Sequence, residues 1–489
     1  MKKIVITILS SLFILSTNAC SDSDDGSDNG GGNPDPAPTQ TVAEENLSKA
    51  MEIVDAAVSN YFEGTGMKLS MYYNPYTGAR TNSKGEEETG SVWDYTSSIE
   101  AVNTVLHGLK SLKDNGKPEL YNQYFNKYTD LLAKLYDNAA YYKGTFTLTS
   151  YTQTREWTVY GVHRAGDKGS ANVEHRENVY DDQQWLIREL LEAYKLTGND
   201  TYLKEAEYLT EYVLDGWDCT LDNNGKENGG ITWGPGYVSK HSCSNGPMVS
   251  PLVWLHELYK GKNDETTHRY IEPDKSRKSV SVKKSNYYLD FAKKIYDYQK
   301  NHLLRPDGVY DDMMGGFSDE NIHYETVGGK RYRINTPLPD RAGPAISYNS
   351  GTMLSGAADL YRVTNNSVYL EDAKKLTDAS FEYFAKLGTT VAGYYTYDIS
   401  GDRNWFNGVL MRGYVDIYPL YSNASKAIDS FQKNLDYSYK NFVYKSFLPT
   451  NLLLGWSRDN NNNRVKDMFT FAFAAEYAVL ARYELEKDK

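Results

Sequence analysis

The chain has 489 residues and a net charge of −12, with 53 basic against 65 acidic side chains. That balance excludes a protein built to neutralise nucleic-acid phosphates, and it excludes electrostatic docking on anionic lipid. Apolar residues make up 40% of the chain, enough for a sizeable core at this length, and tyrosine is the outlier at 43 residues against 15 Phe and 8 Trp; an apolar ring carrying a hydroxyl suits wet, half-apolar clefts as well as core positions.

From the N-terminus, Met1-Lys2-Lys3, the apolar run from Ile4 to Leu15 and Ser16-Thr17-Asn18-Ala19-Cys20 read as a secretory signal peptide over 1–19. The apolar run is too short to span a bilayer. Ala19-Cys20 resembles a bacterial lipobox, with Thr17 where Leu is usual, so Cys20 is the expected lipidation site and the only expected membrane attachment. Residues 20–42 begin Cys20-Ser21-Asp22-Ser23-Asp24-Asp25 and continue in Gly, Asn and Pro, a composition that forms a tether and no core. Acidic residues directly after the cysteine are similar to the export signal of Gram-negative surface lipoproteins. The expected location is therefore the outer membrane, at the cell surface, with a periplasm-facing linker as the alternative. Cys219 and Cys243 are the remaining cysteines, and their spacing does not say whether they meet. CxxC pairs are absent and the eight His are scattered, which argues against a zinc site; no metal or cofactor is expected.

Residues 43–489 read as one all-α domain. Helical periodicity predicts twelve helices, at about 43–63, 95–114, 118–142, 180–197, 200–215, 245–260, 286–303, 349–363, 367–386, 404–421, 423–442 and 467–486. Ser97-Ser98-Ile99-Glu100 has the spacing of a capping box and predicts the start of the second helix. The connections leading into even-numbered helices are long and those leaving them are mostly short. The exception, 261–285, is charged and reads as a solvated surface insertion. In a ring of antiparallel hairpins all long loops fall on one face, where sites usually sit. Six helical hairpins predict an (α/α)6 toroid with the even helices inside; a solenoid of helical pairs would need a short sequence period, and none is present.

Aromatic, amide and acidic residues stand at the expected starts of the even helices: Trp93-Asp94-Tyr95, Tyr180-Asp181-Asp182-Gln183-Gln184-Trp185, Ser244-Asn245-Gly246, Tyr348-Asn349-Ser350 and Asn404-Trp405-Phe406. Each Asp or Asn is also an ordinary cap; taken together with the rings they predict a sugar cleft. Asp181-Asp182 is the sharpest feature, because a cap needs one carboxylate and a second repels it. Glycoside hydrolysis uses two, held about 5–5.5 Å apart in retaining enzymes, a range that neighbouring residues can reach. The carboxylate nearer the helix axis is favoured in its ionised form, and the other is pushed toward an acid. Asp311-Asp312 shares the Val-Tyr lead-in of Asp181-Asp182 but falls in mid-loop, so the helix-borne pair is the preferred one.

The stretch Tyr180–Trp185 with Leu190-Leu191-Glu192-Ala193-Tyr194 and Thr197-Gly198 resembles the signature helix of glycoside hydrolase family 76, the α-1,6-mannanases. Gly229-Gly230-Ile231-Thr232-Trp233, Ser244-Asn245-Gly246, Tyr348–Thr352 with Leu360-Tyr361-Arg362, and Asn407-Gly408-Val409 with Arg412 are also similar, Asn407 replacing a lysine. The resemblance implies the (α/α)6 fold and retaining, metal-free cleavage of α-1,6-mannan; endo action by a monomer is the expectation, although loop length does not decide between endo and exo. It implies Asp181 as nucleophile and Asp182 as general acid/base. Trp93, Tyr180, Trp233 and Trp405 are the candidates for ring stacking, and Asn245, Tyr348 and Asn349 for hydroxyl contacts. The alternatives are a non-catalytic SusD-like glycan receptor, which has no use for adjacent carboxylates at a helix start, and another (α/α)6 carbohydrate enzyme. One such enzyme, an unsaturated-glucuronyl hydrolase, would call for a basic cleft.

Overall fold

The computed structural model describes residues 40–316 and 322–487. The signal peptide, Cys20 and nearly all of the tether lie outside the described residues. Thr41 to Lys489 forms one unit, and its described residues contain twelve α-helices: α1 (Val42–Tyr61), α2 (Val92–Asp114), α3 (Glu119–Ala139), α4 (Tyr180–Thr197), α5 (Asp200–Asp215), α6 (Val249–Tyr259), α7 (Lys284–Leu303), α8 (Ser347–Thr364), α9 (Ser367–Phe384), α10 (Arg403–Ile417), α11 (Ser425–Phe442) and α12 (Asp467–Glu486). None of the described helices is long and apolar enough to cross a membrane.

The even helices form a closed inner ring, with α2 against α4, α4 against α6, and so on through α12 back to α2; each odd helix packs outside against an even neighbour. Composition explains the division. On α12 the run Asp467–Ala481 is buried all round, whereas α3 buries only Tyr128, Leu132, Leu135, Asn138 and Ala139, a single stripe. Small residues let the inner helices meet closely: a Cβ on Gly351 would stand 2.5 Å from Val409 O, and one on Gly413 would stand 2.6 Å from Gly351 O.

Three departures from the sequence reading have local causes. The second helix starts three residues early, because Ser91 and Asp94 make the reciprocal capping box. Ser97–Glu100 therefore lies inside the helix, and Glu100 is a buried group of the ring interior. The segment 261–285 holds an antiparallel hairpin, Glu265–Ile271 with Arg277–Lys283, which packs along α7. Its end is fastened by Arg277, which donates to Tyr151 O (3.1 Å) and pairs with Glu325 (3.0 Å). A second hairpin, Lys143–Thr149 with Thr154–Tyr160, fills the connection before α4.

Candidate active site

The long connections meet over the starts of the even helices. Val179 is extended and carries no side-chain cap, and α4 starts at Tyr180, whose N–H donates to Trp233 O (2.8 Å). This bond lays the 216–244 connection across the first turn that holds Asp181 and Asp182. Gly229 and Gly230 make that path possible. Both have positive φ (74° and 80°), and a Cβ on Gly230 would stand 2.4 Å from the Tyr298 ring.

The two aspartates sit in different surroundings. Trp233 Nε1 donates to Asp181 Oδ2 (3.4 Å), while Oδ1 accepts no hydrogen bond of good geometry. Burial raises the pKa of Asp181, and the Cys243 thiol, the Trp233 N–H and the first N–H groups of α4 oppose that rise. Asp182 is buried without such donors, and the charges of Asp181 and Asp94 add to burial, pushing its carboxyl well above the usual carboxylate range. The donors at Asp181 and their absence at Asp182 favour the ionised form of the first and the protonated form of the second.

A third carboxylate joins them. Met313-Met314 is the middle strand of a three-stranded ribbon, between Lys240-His241 and Arg341-Ala342. The ribbon brings Asp312 beside Asp181, and burial with the charges of Asp181 and Asp311 pushes Asp312 up to about 6. Its neighbour Asp311 turns away and is neutralised by Arg305 (3.2 Å) and Arg341 (2.8 Å). Of the mid-loop pair, one member is structural and the other faces the site.

Aromatic rings form the adjoining wall. Trp93 lies parallel to Phe406 (5.7 Å, 15°) and edge-on to Trp405 (5.2 Å), and Trp405 meets Trp185 at 4.8 Å. Trp185 Nε1 donates to Tyr348 Oη (2.7 Å), and the Tyr348 hydroxyl feels the charges of both Asp181 and Asp182. Trp405 Nε1 donates to Glu100 (3.0 Å), which is ion-paired with Arg412 beneath the wall. On the other side His241 stacks on Trp233 (4.7 Å, 17°). Burial pulls the imidazole down to about 4, so it is a neutral plate and not a proton donor at neutral pH.

Asp181, Asp182, Trp93, Trp233, Tyr348 and Trp405 thus converge. Three predicted contact residues do not reach the cleft. Tyr180 is 1% exposed; its ring packs on Tyr212 (5.1 Å) and over Gly216, because the residue before Asp181 points outward between α4 and α5. Asn245 is fully buried and fully used: it accepts from Ile231 N (2.8 Å) and donates to Ile231 O (3.0 Å) and His241 O (2.7 Å). Asn349 is also fully buried and donates to Asp311 O (3.2 Å). These amides fix the loops that carry Trp233 and Asp312. Trp185 and Phe406 stand in the helix-start motifs without being singled out there, Asp312 has its shared lead-in as a signal, and His241 and Cys243 have none. Cys219 and Cys243 are both free thiols. Among the described residues no group of three or more His, Cys, Asp or Glu could hold a metal ion.

The model of glycosyl hydrolase family 76 matches residues 97–266 and 280–477. The chain belongs to glycoside hydrolase family 76. The unmatched stretch between the two matched segments falls within the hairpin of 265–283. A mannan endo-1,6-alpha-mannosidase of Candida glabrata is 23% identical over 231 residues, 46% of this chain and 43% of that protein. The chain thus spans less than half the length of that relative. A family 76 mannosidase of Bacteroides thetaiotaomicron superposes with a TM-score of 0.64 at 20% identity, over 90% of this chain and 99% of that one. An inactive variant of the alpha-1,6-mannanase of Salegentibacter sp. HEL1_6, with two consecutive aspartates replaced by asparagine, was solved with alpha-1,6-mannotriose. It superposes at 0.56 and 20% identity, over 90% of this chain and all of that one. Identities this low carry the fold alone, the (α/α)6 toroid.

Proposed function

We propose that this family 76 chain is a retaining, endo-acting mannan 1,6-α-mannosidase, working as a monomer without a metal. The observation that carries the reading is the Asp181-Asp182 pair on one helix start, with opposite environments, beside an aromatic wall. Asp181, served by three kinds of donor, attacks the anomeric carbon and forms a mannosyl-enzyme ester. Asp182, which holds the proton, gives it to the leaving glycosidic oxygen. The same carboxylate then takes a proton from water as the water oxygen attacks the anomeric carbon, which breaks the ester to Asp181 and releases a mannan fragment whose new reducing end keeps the α configuration. Asp312, which feels the charge of Asp181, accepts hydrogen bonds from the bound sugar, and the edges and faces of Trp93, Phe406 and Trp233 supply stacking surface. The names of the fungal relative and of the Salegentibacter complex support the substrate.

Residues 1–42 complete the reading: a signal peptide, a lipid on Cys20 and an acidic tether would present the enzyme on the outside of a bacterial outer membrane. The test is digestion of unbranched α-1,6-mannan by the wild type, Asp181→Asn and Asp182→Asn. Short oligosaccharides from the wild type alone support the proposal. Mannose as the sole product contradicts endo action, and retention of polymer without products contradicts catalysis.

A further inference from the structure

On the far side of the aromatic wall, between α10, α11 and α12, lies a separate cavity of about 90 Å³ whose lining includes Glu476, Asn404, Asn407, Asn434 and Tyr397. Glu476 is 4% exposed, and its carboxylate faces α10: a Cβ on Gly408 would stand 3.0 Å from Oε1. Among the described residues no N–H, O–H or cation reaches this carboxylate; its electrostatic neighbour is another acid, Glu100, already paired with Arg412.

The amides around it are turned the same way. Asn434 Nδ2 donates to Tyr395 O (2.9 Å), Asn407 Nδ2 to Asp398 O (3.0 Å) and Asn404 Nδ2 to Thr450 O (2.9 Å). Ser430 donates to Ala427 O, so the Tyr397 hydroxyl bonded to Ser430 gives its proton away from the cavity as well. What these groups leave is oxygen. Asn434 Oδ1 is buried without a partner, on a residue 7% exposed, and no hydrogen bond reaches Asn404 Oδ1. Buried acceptors without donors are costly unless something positive sits between them.

We propose that this cavity binds one alkali-metal cation, held by the Glu476 carboxylate and the side-chain oxygens of Asn434 and Asn404. One carboxylate with neutral oxygens balances a single positive charge, and the cavity has room for an ion with some of its water. A divalent or transition metal would draw further carboxylates or His and Cys, and no such cluster exists among the described residues. The site is structural. Asn404 precedes Trp405, and Ser347, which donates to Asn407 Oδ1 (2.8 Å), precedes Tyr348, so the ion would stiffen the helix starts that carry the aromatic wall.

A proton is the competing occupant, since burial and Glu100 push the Glu476 carboxyl up to about 8. Glu100 and the phenols of Tyr397 and Tyr477 are the titratable groups coupled to its charge. Thermal unfolding is therefore compared at about pH 9, in sodium, potassium and N-methylglucamine chlorides of equal ionic strength. The expected result is a midpoint higher by about 2 °C or more in an alkali salt, a dependence that Glu476→Gln abolishes. Equal midpoints in all three salts, or a dependence retained by the variant, overturn the proposal. Crystals of the wild type give an independent reading should the variant not fold. An anomalous peak between Glu476 and Asn434 in rubidium chloride, or a peak at sodium–oxygen distances in sodium chloride, supports the site. Plain water in both overturns it.

Discussion

Gly351 offers the most direct test of how the ring holds the site. Its added Cβ would stand 2.5 Å from Val409 O and 2.7 Å from Leu410 Cα, both backbone atoms of α10. Ordinary contact is about 3.5 Å or a little less, so α8 and α10 would have to separate by roughly 0.7 to 1 Å. Overpacking of this kind costs about 1–3 kcal/mol. Three residues earlier, Tyr348 is fixed at 2.7 Å from Trp185 Nε1, and Asn349 holds Asp311 O. Movement of the α8 start therefore disturbs the wall and the Asp312 loop together, and a displacement near 1 Å lowers turnover by about a hundredfold. Gly198→Ala is the control: Gly198 ends α4 in the left-handed region (φ 70°), with open space around it. Its strain costs about 1 kcal/mol and leaves catalysis alone. Urea unfolding and initial rates on α-1,6-mannan separate the two. A Gly351→Ala protein with the wild-type midpoint and turnover would refute the idea that this crossing positions the site.

Trp233→Phe keeps the ring and removes the donor to Asp181, so kcat should fall about tenfold and the acidic limb of the pH–rate profile should move to higher pH, because Asp181 loses a group that favours its ionised form. Asp312→Asn removes a negative neighbour and should move that limb to lower pH, with a raised KM if Asp312 also holds the sugar; a profile unchanged in both respects would exclude it from the site. Burial pushes Asp215 up to about 6, whereas its unfolded value is near 4. The folded state keeps a proton that the unfolded chain has released, so this group's contribution to stability declines as pH rises from about 4 to 6, by on the order of 3 kcal/mol. Asp215→Asn should flatten that part of a plot of urea midpoint against pH.

Periodicity made the twelve helices legible because each buries at least one face, and the alternation of loop lengths was enough to place the site at the even helix starts. Hairpins were less legible. The 265–283 hairpin presents charged residues to solvent, and the side chains packed along α7 alternate too sparsely to stand out from a charged loop. At the site, the type of residue was readable but not its direction. Tyr180, Asn245 and Asn349 stand in the same motifs as the cleft residues, yet they point elsewhere. One step along a helix turns a side chain by about 100° at Tyr180 and Asn349. Asn245 lies in the loop before α6, where its amide is used by Ile231 and His241. Asp312 illustrates the reverse: a loop position gained fixed geometry from a ribbon whose pairing joins residues far apart in sequence. Glu100 looked like a cap and became the buried partner of Arg412, because the true cap lay at Ser91.

The central claim is that Asp181 forms a covalent bond to mannose while Asp182 moves the proton. It is tested most directly by following the anomeric signals of the first products from α-1,6-mannan by proton NMR, before mutarotation. The account predicts that the new reducing ends appear as the α anomer and that Asp181→Asn releases none. Initial appearance of the β anomer, which a single displacement by water would give, would contradict it.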